Sequence, residues 1–191
     1  MIGSSSQQET YTPAHQYFGK YRGRVVNNID PQQRARIQVD VSDVAGFPLI
    51  AWALPCVPAG GFQHGLFSVP PINSGVWIEF ERGDIDYPIW TGCYWGSAAE
   101  VPNRAKPVIN RPFNEAITLQ TPRQHSVVIS DLPAKAGGIQ IKTTTGVLVH
   151  LSDIGIEINT GAGASITMIA NTITIKADLI NFNDGALLIK K

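Results

Sequence analysis

Between Gly138 and Phe182 apolar residues occupy alternate positions in short pairs: Ile139/Ile141, Val147/Val149, Ile156/Ile158, Ile166/Met168, Ile173/Ile175 and Ile180/Phe182. Side chains on a strand point to opposite faces with period two, so each pair predicts one strand with one apolar face. The pairs start 8, 9, 10, 7 and 7 residues apart, which excludes the six-residue period of a left-handed hexapeptide helix. Gly146, Gly155, Gly161, Gly163 and Gly185 lie between or beside the pairs, where the chain must turn. A unit of this kind cannot bury its own apolar face, and open strand edges invite aggregation. Three copies around a shared axis solve both problems. The paired residues and Leu151 then point inward, and each strand edge meets a neighbour. His150, in phase with Leu148 and Ser152, faces outward in that arrangement; it approaches the axis as an ion ligand only if the phase is reversed.

A second pattern fills residues 18–98. "KYRGRVVNNIDPQQRARIQVDV" reads as a hairpin, with Ala35, Ile37, Val39 and Val41 alternating against Arg36, Gln38 and Asp40. "LIAWALPCV" follows, then a Gly/Pro-rich loop, then "GVWIEFE" and "YPIWTGCYW" joined by "RGDID". Five to six short strands without a helical period predict a small closed barrel of the OB type. Residues 1–17 read as a polar arm. Residues 99–122, with four prolines, read as an extended linker, and 123–191 as the repetitive tail.

Charge and candidate chemistry change this picture little. The chain carries 15 basic and 15 acidic residues, which argues against a field-driven nucleic-acid or anionic-membrane binder. The first residues lack the basic and apolar regions of a Sec-type signal peptide, and no run is long and apolar enough to cross a membrane. Synthesis in a bacterial cytoplasm without such a signal is therefore the expectation. Cys56 and Cys93 form no CxxC pair and read as buried free thiols. Glu79 and Glu81 share a strand face, and paired carboxylates can hydrolyse glycosides; a solvated face explains them equally, as a turn explains Arg82–Asp84. Trp77, Trp90, Trp95, Tyr87 and Tyr94 suit a barrel core or subunit interface better than base stacking. Nothing in the motifs calls for a catalytic residue, a metal or a cofactor.

The segments "YRGRVVNNIDPQQRARIQVDV", "WALPCVPAGG" and "FSVPPINSGVWIEFERGDIDYPIWTGCYWG" resemble the OB domain of baseplate assembly protein V and VgrG-type spikes. These belong to contractile phage tails, type VI secretion and extracellular injection systems. "IKTTTGVLVHLSDIGIEINTGAGASITMIANTITI" with "INFNDGALLI" resembles the needle that follows the barrel in those spikes. The resemblance implies an all-β homotrimer, an OB barrel followed by an intertwined triple-stranded β-helix. It also implies a place in the baseplate below a hub protein, and a needle that meets the target membrane only during puncture. Some relatives insert a lysozyme domain where this chain has only its linker, so no cell-wall hydrolysis is expected. Others end in an iron-binding His-x-His apex, whereas His15, His64, His125 and His150 are isolated. The blunt end with Leu187, Leu188 and Ile189 suits a separate PAAR-type tip protein. Two other readings remain open on the residues alone: an OB protein that binds single-stranded nucleic acid through salt-sensitive contacts, and a carbohydrate-processing enzyme dependent on Glu79 or Glu81.

Overall fold

The structure, a computed structural model, describes residues 15–42, 44, 50–106, 116–182 and 187–190, and for 182 and 187–190 the backbone only. The expected arm at residues 1–17 therefore lies almost wholly outside the described residues. The chain divides into two compact units, Met1–Ala98 and Ala99–Lys191. Among the described residues every regular element is a strand, apart from two short 3-10 turns.

In the first unit β1 (Tyr21–Asn27), β2 (Ile37–Asp40), β3 (Ile50–Pro55), β6 (Gly75–Phe80) and β7 (Pro88–Tyr94) close into a barrel in the order β1-β2-β3-β7-β6. Two very short strands, β4 (Gly60–Gly61) and β5 (His64–Gly65), form a hairpin between β3 and β6. Alternation drives closure. Val25, Ile37, Val39, Val76, Ile78 and Phe80 point inward with Val41, Ala53 and Trp90, and form one buried cluster. Gly23 belongs to the same geometry, because a Cβ there would stand 2.9 Å from Ile78 Cγ1 and push β1 off β6. The ladders shift register between Val25 and Asn27 and between Trp77 and Ile78, irregularities that help a short sheet bend into a barrel.

The β1–β2 loop is fixed by one carboxylate. Asp30 accepts bonds from the backbone amides of Gln32, Arg34 and Arg36 and from the Arg36 guanidinium at 2.7 Å. The Arg36 guanidinium, followed by these amides, holds the Asp30 carboxyl far below the usual carboxylate range against the opposing effect of burial. Arg36 also lies over the Trp52 ring, and Trp90 Nε1 donates to Ala35 O, so the buried indole is satisfied.

Strand directions give the barrel two distinct ends. β3 and β7 run parallel, Leu54 beside Ile89. Their C-terminal ends, the β1–β2 loop and the β3–β6 segment therefore share the end from which the chain leaves at Trp95. The opposite end carries the N-terminal segment, where Tyr17 N donates to Gly83 O, and the β6–β7 turn. That turn contains Arg82–Asp84 as predicted, with Glu81 in it rather than on β6 beside Glu79. Cys56 and Cys93 correct the expectation of buried thiols: both are exposed. Cys56 lies just past the end of β3 and Cys93 beyond the register shift on β7, where the barrel wall gives way to its rim.

The second unit is a seven-stranded antiparallel meander in the order β14-β13-β12-β11-β10-β9-β8. Its strands are β8 (Ala116–Gln120), β9 (Ser126–Ser130), β10 (Gly138–Lys142), β11 (Leu148–Ser152), β12 (Gly155–Asn159), β13 (Ser165–Ile169) and β14 (Thr172–Lys176). A separate hairpin follows, β15 (Leu179–Phe182) with β16 (Leu187–Lys190). Two features go beyond the sequence pattern. The first strand, β8, falls inside the segment read as linker. Consecutive strands of the meander also pair within one chain, so most edges are satisfied without a neighbour. What stays uncovered is a face.

Candidate functional site

The six ladders of the meander align its apolar positions into two continuous rows. One row runs Ile117, Ile129, Ile139, Leu151, Ile156, Met168, Ile173, each residue opposite the next. The other runs Leu119, Val127, Ile141, Val149, Ile158, Ile166, Ile175. Fourteen side chains thus share one face, and ten of them are exposed, from Ile156 at 37% to Leu119 at 68%. The largest apolar patch on an ordinary monomer covers ~300–600 Å², scattered residues aside, and a contiguous sheet of this extent marks an interface. Cross-strand pairs of β-branched residues also fix the register, since a one-residue slip would turn all fourteen away.

The predicted inward set maps onto this face with two qualifications. Ile139, Ile141, Val149, Leu151, Ile156, Ile158, Ile166, Met168, Ile173 and Ile175 all lie in the rows. Val147 precedes β11 and sits in the turn, where its amide bonds to Thr143. Ile180 and Phe182 lie on β15, outside the meander; Leu187, Leu188 and Ile189 lie on β16, and their side chains are outside the described residues. Four members of the rows escaped the sequence reading: Ile117, Leu119, Val127 and Ile129. The same alternation marks them, but the prolines around "ITLQTP" masked it.

The opposite face is polar, its central row Thr118, Val128, Gln140, His150, Glu157, Thr167 and Thr174. The β9–β10 connection folds over it as a strap. His150 lies on this face, opposite the Val149 row, and is only 4% exposed because the strap covers it, with Nε2 2.8 Å from Gly137 O. This burial has a local cause: the strap can lie flat because Gly138 adopts φ +94°, and a Cβ there would stand 1.9 Å from Leu151 O. Lys135 reaches Glu157 at 3.3 Å, and Ala134 N donates to Asp153 Oδ2. Hydrogen bonding from Asn159, then Lys135, lowers the Glu157 pKa below its usual value, with a smaller contribution from His150. His150 therefore lies on the face opposite the apolar rows and serves the strap. No grouping of three metal-ligating side chains exists among the described residues.

On the barrel, Trp90 is the one predicted aromatic in the core; Trp95 and Tyr87 are exposed. Trp77 and Tyr94 pack on each other at 5.0 Å, and the Arg22 guanidinium lies over both rings, at 5.5 and 5.0 Å. Glu79 is engaged by Lys20 at 2.5 Å, an ordinary surface pair rather than half of a carboxylate dyad.

Comparison with known families follows these two units. Residues 21–95 match the type VI secretion system/phage-baseplate injector OB domain. Residues 116–188 match the phage baseplate V C-terminal trimerisation domain, which begins at the first residue of β8. No curated protein compared with the chain matches it.

Proposed function

Because the chain belongs to the baseplate V and injector spike family of contractile tails, we propose that it is the central spike driven through a target envelope when the sheath contracts. The family is a structural one, and its trimerisation domain makes the chain a homotrimer. The observation that carries the reading is the fourteen-residue apolar face, in the part of the chain that matches the trimerisation domain. Removing the exposed remainder of such side chains from water is worth on the order of 1 kcal/mol each. Three sheets facing one axis form a narrow shaft with a dry core. Mechanical thrust then acts on a structure with no soft helical joint.

In this reading the barrels are the wide end below the hub, and the C-terminal end with Leu187, Leu188 and Ile189 receives a PAAR-type tip protein. The particle, phage tail or injection machine, is where the protein works. No chemistry is required of Glu79 or Glu81, and the balance of 15 basic and 15 acidic residues disfavours oligonucleotide binding. Cryo-electron microscopy of the particle tests the role. Three copies on the tail axis beneath the hub, displaced beyond the baseplate after contraction, are expected. A position off the axis, or one unchanged by contraction, would refute it.

A further inference from the structure

The barrel carries a second apolar surface, which the shaft does not explain. From Cys56 to Ile72 the chain holds no Lys, Arg, Asp or Glu, yet Phe62 is 94% exposed, Phe67 76% and Leu66 61%. These residues sit on and beside the β4–β5 hairpin, whose two-residue strands rest on little more than Gly60–Gly65 and Gly61–His64 pairing and the Leu66 N bond to Ala59 O. An isolated hairpin is marginal in water. None of residues 56–68 belongs to the barrel core or to the side chains packed on it. The arm leaves the barrel at the exit end, where Ile29, Ile72 and Trp95 are also exposed.

We propose that this arm clasps the neighbouring copy of the chain, its Phe62, Leu66 and Phe67 seated on the Ile29, Ile72 and Trp95 rim of the next barrel. The proposal rests on the trimer reading. A three-fold ring needs two different patches that fit each other, and the uncharged arm and the exposed apolar residues of the rim supply them. Location selects the occupant. Eight residues join Trp95 to Arg104, whose amide donates to Gln120 of the sheet. A tether that short, in three copies held on one shaft, keeps every exit end at roughly millimolar concentration for its neighbours. A hub at the other end of the barrel would not meet the arm.

The test uses the full chain with Cys56→Ser and Cys93→Ser, since both native thiols are exposed. Phe62→Cys and, as a reference at the opposite end, Tyr87→Cys are labelled with a maleimide in the purified trimer. Both sites are exposed in the single chain, so neither substitution disturbs packing within it, and Leu66 and Phe67 remain to hold the clasp when Phe62 is replaced. The clasp predicts labelling at Phe62→Cys at least tenfold slower than at Tyr87→Cys. It also predicts covalent two- and three-chain species when Phe62→Cys is combined with Trp95→Cys under oxidation, and none from either alone. Equal labelling rates in a sample whose mass is trimeric would overturn the clasp, leave the trimer standing and mark the arm for another protein. A monomeric mass would overturn the trimer beneath it.

Discussion

The barrel and the meander are built from the same material, short strands of alternating β-branched residues, and they end in opposite states. Val25, Ile37, Val39, Val41, Val76 and Ile78 are wholly buried by their own chain. Ile117, Leu119, Ile141 and Ile173, no less apolar, stand half or more exposed. The difference is closure. Five strands that bend, helped by register shifts and by Gly23, fold an apolar face onto itself; seven strands in regular register give an open face that only another surface can cover. The core of one half is self-sufficient, and the sheet of the other is an interface awaiting copies.

The most damaging test of that contrast is Ile141→Asp with Ile158→Asp, two places apart in one row. Charges at the centre of the face should abolish the trimer by light scattering, while the fluorescence of the four tryptophans, all in the barrel unit, stays native. The converse variant, Ile78→Ala, should destabilise the barrel by about 2–5 kcal/mol in denaturant melts and leave the trimer mass unchanged. A barrel that failed together with the trimer in the first variant would break the comparison.

Asp30→Asn should lower the melting temperature of the barrel by several degrees, because Arg36 loses its charge partner while remaining largely covered. The Asp30 pKa is depressed on folding, so its contribution is complete above the ordinary value of 3.8 and is lost only as pH falls through the lower folded value. Wild type and variant melts should therefore converge only in strong acid. The smallest effect belongs to the strap. Glu157→Gln removes a pair whose lysine is mostly exposed, worth at most about 0.5 kcal/mol, and should speed hydrogen exchange at Ala134–Gly138 without altering mass. Its carboxyl is also depressed, so the pair is present above about pH 4.5 and weakens as pH falls below it.

Much of this was legible in the sequence because alternation is a local signal. The paired isoleucines give strands β10 and β12–β14 and the face they share, and "NNIDPQQR" gives the β1–β2 turn. Strand β8 was hidden because "AITLQTP" is bounded by prolines that also mark linkers. The burial of His150 and the exposure of Cys56 and Cys93 escape the sequence for a different reason. Both depend on a strap and a barrel rim, contacts between residues distant in sequence that no periodicity encodes. Whether edges pair within a chain or between chains was likewise invisible, since both arrangements ask for the same alternation.

The central claim is that the apolar face is covered by two further copies. Light scattering on the purified chain, fully folded by its tryptophan fluorescence, measures this directly. The account predicts three times the chain mass of 20.7 kDa, stable to dilution. A soluble, folded species at 20.7 kDa would contradict it.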